Sequence, residues 1–299
     1  MKIEIAICTW NRAVLLKQTL ESIASASIPE EDSLQVIVVN NNSTDETAQV
    51  AKAFEGRIPV TIVDEPKQGH CYSRNCAINH ARGDLLLWTD DDVVIDEKWI
   101  VAYATAARSN NDESFWGGPI LPVFESGKPK WITENWDKLS GCFAARDLGD
   151  QPAKLDHTTL PYGANFAIRT EVQKQFPFAE DLGRSGKSVI GDDELQMLRR
   201  VLESGKTGSW LPAAKLEHII DSPQTTTDYV QRYFVGQGRV MASRGQQWHD
   251  DVVDLRREAR HEHRMFLAKR MFAKSEVWVS HLLRGALAKG QALQLTKDK

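Results

Sequence analysis

Residues 84–95 read DLLLWTDDDVVI, an apolar run that halts on three consecutive aspartates, Asp90, Asp91 and Asp92, and then resumes. A short apolar run bounded by polar residues suits a buried strand, which puts the aspartates at its carboxyl end. Adjacent carboxylates about 4 Å apart repel by ~1 kcal/mol in water and by ~4 kcal/mol where the effective dielectric falls to ~20, so something nearby must offset them. Outward from this stretch the pattern repeats. KIEIAIC (2–8), LQVIVVN (34–40) and PVTIV (59–63) read as strands. Segments 12–26, 45–55 and 70–81 read as helices between them, and another helix opens at Asp96. Ser43 or Thr44 is placed to cap the second helix. Strands alternating with helices predict a mostly parallel α/β sheet covered on both faces, in which ligands bind beyond the carboxyl ends of the strands. CTWNR (8–12), NNNSTD (40–45) and TDDD (89–92) all lie at such ends.

The 299 residues, 41% apolar and 26% charged, describe an ordinary globular chain with enough material for a large core. No apolar run approaches the ~20 residues that span a bilayer, and MKIEIAICTWNR lacks the parts of a secretory leader, so a cytoplasmic protein is expected. Cys8, Cys71, Cys76 and Cys142 form no CxxC pair, so neither a disulfide framework nor a zinc ribbon is indicated. Charge is unevenly distributed: residues 252–299 hold 11 Lys/Arg against 5 Asp/Glu, and the first 251 hold 26 against 36. An acidic body argues against nucleic acid as partner.

No GxGxxG follows the first strand, and GRSGKS (183–188) has Asp181 where a P-loop needs its first glycine. The aspartate cluster is left, and its chemistry suits a hard divalent cation, Mn²⁺ or Mg²⁺, bridging carboxylate to a substrate diphosphate.

CTWNR, VVNNNSTDET, GHCYSRNCAINHARGDLLLWTDDD and GDDELQMLRRVLESG, in this order, resemble the successive blocks of family 2 glycosyltransferases across about residues 2–245. The resemblance implies a GT-A fold, a Rossmann-like central sheet flanked by helices. It also implies a nucleotide-diphospho-sugar donor, a divalent metal at a DxD-type motif, a carboxylate base and inversion at the anomeric carbon. Residues 1–110 would form the nucleotide-sugar half and 111–245 the acceptor and catalytic half. By position, Thr9, Asn11, Arg12, Asn40, Asn42, Arg74, Asp90 and Asp91 fall to the nucleotide-sugar, Arg74 as the donor-binding arginine. Asp92 and His218 fall to the metal, and Asp193 to the general base. Asn40 stands where the family commonly has an Asp against the nucleotide base. Uridine is the first expectation for that base.

The block LPYGANFAIRTEV reads as a strand running into a helix, and in the family it lies beneath the acceptor site. A further helix opens near Gly191 and ends at Gly205, with Leu195, Leu198 and Leu202 on one face. Asp192 and Glu194 would raise the pKa of Asp193, and the helix terminus would lower it. Each feature has a plainer reading: acids in a first helical turn are common caps, a lone histidine is often structural, and Trp116, Trp131 and Trp136 suit core packing better than sugar stacking.

Residues 246–299 form a tail whose 253–290 region reads as a basic amphipathic helix. Leu267, Met271, Trp278, Leu282 and Leu283 lie on one side; Arg256, Arg260, Arg264, Lys269 and Arg270 are among the polar positions. It would lie on an anionic membrane, where a glycan or lipid-linked acceptor is presented, or pack against the body or a second subunit. The QxxRW block of processive synthases is absent at YVQRYF, so single-sugar transfer is expected. A nucleotidyltransferase, or an inactive sugar-nucleotide-binding protein, is the competing reading.

Overall fold

The computed structural model describes residues 1–180 and 192–297. The P-loop-like GRSGKS segment and Gly191 lie outside the described residues. The chain forms two compact units: Met1–Val123 with Ala144–Leu182 and Asp193–Ile219, and Phe124–Phe143 with Gly183–Asp192 and Ile220–Lys299.

The first unit holds the expected α/β alternation. Strands β1 (Lys2–Thr9), β2 (Ser33–Asn40), β3 (Val60–Asp64) and β4 (Leu85–Thr89) run parallel in the order β3-β2-β1-β4. Helices α1 (Ala13–Ser25), α2 (Thr47–Lys52) and α3 (His70–His80) connect them. Short strand β5 (Val93–Ile95) follows the aspartates, and helix α4 (Trp99–Ser109) starts three residues later than Asp96. Asp96 sits before that helix and accepts from the Lys98 amide at 2.9 Å. Next come β6 (Glu113–Gly117), β7 (Ile120–Phe124), β8 (Ala153–Lys154) and β9 (Asn165–Arg169). They are followed by helices α7 (Thr170–Gln175) and α8 (Asp193–Glu203), and strands β10 (Thr207–Trp210) and β11 (Leu216–Ile220). The main sheet continues from β4 through β9, β6, β10 and β8, with β9 antiparallel to both of its neighbours. A second sheet has the order β5-β11-β7.

Both faces of the main sheet are buried, as near-continuous apolar strands require. Ile3, Ile5, Ile7, Leu85 and Leu87 share one core with Leu16, Leu20 and Ile23 of α1. Ala6, Ile37, Leu86 and Trp88 share the other with Ile78 of α3 and Leu198 of α8. Asn165, wholly buried at the start of β9, anchors this frame. It donates to the Pro119 and Ala214 carbonyls, both at 2.8 Å, and accepts from Trp99 Nε1 at 2.7 Å and the Tyr103 hydroxyl at 2.8 Å. Trp116 is fully buried, in keeping with its reading as core.

The expected cap of α2 is corrected. Its first amide, Thr47, donates to Asp45 Oδ1 at 3.0 Å, and Ser43 and Thr44 bond Asn11 instead. Sequence spacing showed which residue types cap a helix but not which neighbouring loop would claim them.

The second unit is helical: α5 (Lys130–Thr133), α6 (Trp136–Leu139), α9 (Thr227–Ser243), α10 (Val252–Arg270) and α11 (Ser275–Lys297). A cut at residue 245 would separate α9 from the helices it packs with, because α9, α10 and α11 form one bundle. The tail is a helical hairpin broken at Met271–Lys274, not one continuous helix. Its apolar side is also divided. Trp278, Leu282 and Leu283 are buried with Ile132, Phe143, Val230 and Phe266, whereas Leu267 and Met271 are exposed. The expectation that Trp278, Leu282 and Leu283 face a membrane is therefore overturned: their 3.6-residue spacing is met by a helix partner inside the unit. Trp131 and Trp136 also serve as packing, against Trp278 and Phe143 respectively. Gly238 and Gly290 allow backbone contact between α9 and α11, since a Cβ on either would lie 2.2 or 2.1 Å from a carbonyl oxygen of the other helix. Among the described residues no helix is long and apolar enough to cross a membrane.

Candidate active site

Two acidic clusters stand in the first unit. The first gathers at the ends of β1 and β4. The turn after β4 buries Asp91 and Asp92 and leaves Asp90 half-buried. Arg12, from the loop between β1 and α1, supplies the charge that offsets them. Its Nη1 lies 2.5 Å from Asp92 Oδ2 and its Nε 3.9 Å from Asp91 Oδ1. Burial pushes the Asp91 carboxyl up; Arg12 opposes this, and the Asp92 charge adds to it. Thr9, buried at the end of β1, turns a polar hydroxyl toward this acidic turn and favours the charged form of Asp91.

Sheet pairing brings His218 to the same place. In the register of β5 and β11, His218 opposes Val93, and the Ile219 amide donates to the Asp92 carbonyl at 2.8 Å. His218 Nε2 is thereby 3.4 Å from Asp92 Oδ1. The two candidate metal ligands, 126 positions apart in sequence, are neighbours in space.

The loop after β2 is tied to this cluster through Asn11. Asn11 has φ 53° and accepts from the Thr44 amide at 2.7 Å, and its own amide donates to Ser43 Oγ at 3.0 Å. Asn40 donates to Asp64 Oδ1 at 2.8 Å and accepts from the Ser43 amide at 3.1 Å. Asn42 is exposed, has φ 63° and donates to the Pro66 carbonyl at 2.5 Å. Thus Thr9, Asn11, Arg12, Asn40 and Asn42 line adjoining strand ends, as the parallel-sheet argument requires. Asp64, which restores a carboxylate beside Asn40, escaped the sequence reading. It is the register partner of Asn40 across β2 and β3, so strand order had to be known first.

The second cluster surrounds the first turn of α8. Arg74 of α3 is 2% exposed, and its Nη1 lies 2.8 Å from Asp193 Oδ2 and 3.6 Å from Glu194 Oε2. His70 Nδ1 and Cys71 Sγ approach the same Asp193 oxygen at 3.6 and 3.7 Å. Gly163 makes room for the guanidinium: a Cβ there would lie 2.2 Å from Arg74 Nη2. Burial works to raise the Asp193 pKa, but the Arg74 charge and the nearby His70 outweigh it and hold the carboxyl well below the ordinary range. Glu194 moves the other way, raised by burial and by the charge of Asp193. The expected rise from Asp192 and Glu194 is overturned, because the dominant charged neighbour of Asp193 is Arg74, 119 positions away, and Asp192 is paired with Arg244. His70 was also missed, although it lies four residues before Arg74 and so on the same helical face.

Arg74 is placed against Asp193, and the charge of Asp90 also reaches it.

Residues 4–175 match glycosyl transferase family 2. The chain belongs to this family. It is 28% identical over 172 residues to the succinoglycan biosynthesis protein ExoM of Rhizobium meliloti, which covers 57% of this chain and 49% of ExoM, so the chain spans about half the length of that relative. Among solved structures it is similar to the mannosyltransferase PcManGT of Pyrobaculum calidifontis in complex with GDP-Man and Mn²⁺. The TM-score there is 0.63 at 15% identity, covering 99% of this chain and 88% of the other. It is also similar to residues 1–349 of S. aureus TarS in complex with UDP-GlcNAc, with TM-score 0.58 at 15% identity over 100% and 91% of the two chains. The sheet flanked by helices is the GT-A fold, similar to that of these two solved structures.

The first cluster suits a hard divalent cation. Among the described residues no group of three or more His, Cys, Asp or Glu side chains is placed to hold a metal. Magnesium and manganese sites of nucleotide enzymes, however, use one or two protein ligands and complete the shell with substrate phosphates and water. Asp92 and His218, 3.4 Å apart, provide that number.

Proposed function

We propose that this family 2 glycosyltransferase moves a single sugar from a nucleotide-diphospho-sugar, with uridine as the favoured nucleotide, to an acceptor hydroxyl with inversion. The pathway would be cell-surface polysaccharide or glycolipid biosynthesis. The observation that carries the reading is Asp193, a buried carboxylate in the first turn of α8 whose Oδ2 is held by Arg74. Arg74 keeps the group ionised and fixes its orientation, and in this reading the carboxylate takes the proton of the attacking hydroxyl. General-base help of this kind is worth about 10²- to 10⁴-fold. Inversion follows when that oxygen enters opposite the departing diphosphate.

The donor would lie along the ends of β1, β2 and β4, contacted by Thr9, Asn11, Arg12, Asn40, Asn42, Asp90 and Asp91. Arg74 acts through Asp193 in this reading. A divalent cation, Mn²⁺ or Mg²⁺, bound by Asp92 and His218, would stabilise the charge that develops on the diphosphate. Imidazole is a better ligand for manganese than for magnesium. Arg12 sits on Asp92 Oδ2 and would offer its charge to the donor phosphates at this strand end. The uridine reading draws support from the UDP-GlcNAc bound to TarS, and the manganese reading from PcManGT. The acceptor is read as a glycan or a lipid-linked sugar at the cytoplasmic membrane face.

Asp193→Asn tests the base. Donor binding should be kept and transfer should fall by roughly 10²- to 10⁴-fold, because the amide cannot accept the proton. Undiminished turnover would remove Asp193 from the mechanism.

A further inference from the structure

Two surface features of α10 and α11 have no part in the transfer chemistry. The first is a groove of about 520 Å³ whose lining includes Arg256, Arg260, Arg264, Leu282, Gly285 and Lys289. Arg256, Arg260 and Arg264 recur every four residues and so form a row on one face of α10. The acids of this helix are engaged elsewhere. Glu258 accepts from Arg284 at 2.5 Å and Glu262 pairs with His281 at 2.6 Å. Arg260, Arg264 and Lys289, by contrast, have no carboxylate in ion-pair range among the described residues.

The second feature is the turn that joins the two helices. Met271 and Phe272 are 76% and 88% exposed there, and Leu267, one turn back on α10, is 53% exposed. Lys269, Arg270 and Lys274 surround them. An exposed apolar side chain is common when it stands alone. Three at one hairpin tip, ringed by cations and continuous with a cationic row, form an amphipathic surface.

We infer that this tip enters the interface of an anionic lipid bilayer while the Arg256–Arg260–Arg264 row and Lys289 hold a lipid phosphate headgroup over the apolar floor of the groove. Charge complementarity sets the headgroup as anionic. The exposed Met271 and Phe272 select lipid over nucleic acid, which would use the cations and leave these side chains in water. Phe266 helps fix the tip, because it is anchored in the core of its own unit and its ring lies under Arg270, 5.6 Å from the guanidinium carbon. The inference deepens the membrane-face reading above and is independent of the sugar chemistry.

Co-sedimentation of the full chain with phosphatidylcholine vesicles, with and without phosphatidylglycerol, tests it. Wild type should bind only the anionic vesicles, and more weakly as salt rises. Arg260→Gln/Arg264→Gln should lower that affinity roughly tenfold to thirtyfold, as expected for two cations near an anionic surface. Met271→Ser/Phe272→Ser should remove the binding that survives at high salt. All four positions are exposed, so circular dichroism should show the fold unchanged. If wild type binds and both double variants bind equally well, the membrane reading stands and this surface is wrong. If wild type binds no vesicle, or is captured by duplex DNA that vesicles do not compete away, the inference fails together with the membrane reading. Transfer to a soluble acceptor would be untouched by either failure.

Discussion

The two acidic clusters are built from the same parts and differ in how deeply they are set. Each pairs neighbouring carboxylates with one arginine and one histidine: Asp91 and Asp92 with Arg12 and His218, Asp193 and Glu194 with Arg74 and His70. The Arg12 side chain is 34% exposed, whereas that of Arg74 is 3% exposed. A half-exposed guanidinium keeps water as an alternative partner and can leave its carboxylates at small cost. A buried one cannot, because its departure would strand a charge in a medium that solvates it poorly. One cluster is thus arranged to exchange its cation and the other to keep it. This is the division of labour expected between a site that accepts a changing ligand and one that holds a base in place.

The strongest way to break the comparison is to remove the buried arginine. Arg74→Met should cost about 3–5 kcal/mol of stability, read by urea unfolding, since it leaves Asp193 and Glu194 without their counter-ion. The Asp193 carboxyl is held below its ordinary pKa, so its stabilising contribution is complete above the unfolded value of about 3.9 and is lost as pH falls below that. Without Arg74, burial would raise the Asp193 and Glu194 carboxyls above their ordinary range, so the cost of Arg74→Met should be largest near neutral pH and shrink as acid protonates them in the variant. A variant as stable as wild type at pH 7 would show that the pair is not the anchor described.

Next in size is the loss of the metal-side carboxylate. Asp92→Ala should leave the fold intact and abolish the manganese dependence of donor binding. The affinity loss should exceed the roughly 10- to 100-fold that removal of a supporting residue brings. Calorimetric titration of UDP-sugar with and without manganese measures it; wild-type binding in the variant would contradict the assignment. The smallest effect is expected at Arg12. Arg12→Met should cost less than Arg74→Met, because water can take the place of the partly exposed guanidinium beside Asp91 and Asp92. A loss as large as that of Arg74→Met would erase the distinction between the clusters.

Much of the fold could be read from the sequence because parallel strands buried on both faces show as apolar runs, as at 2–8, 34–40 and 84–89. The strand-end site was legible for the same reason: polar clusters at the ends of successive parallel strands converge whatever the loops do. The environment of Asp193 was harder to foresee. Its governing partner comes from α3, and nothing in GDDELQMLRR points to Arg74. The division of the tail's apolar side was hidden as well. Helical spacing shows that a stripe exists, and only the neighbours show that Trp278 is covered while Met271 is open.

Gly238 and Gly290 give the bundle a mechanical property. With backbones in contact, α9 and α11 meet like a keyed shaft and have a single seat. Sliding either helix by one residue would turn it by about 100° and bring Arg239 or Gln291 to a point where not even a methyl group fits. The pair therefore cannot creep through intermediate registers. A push on the exposed tip at Phe272 would travel along α11 and arrive at α9 as displacement of a rigid lever, with none of it absorbed by slippage between the two helices.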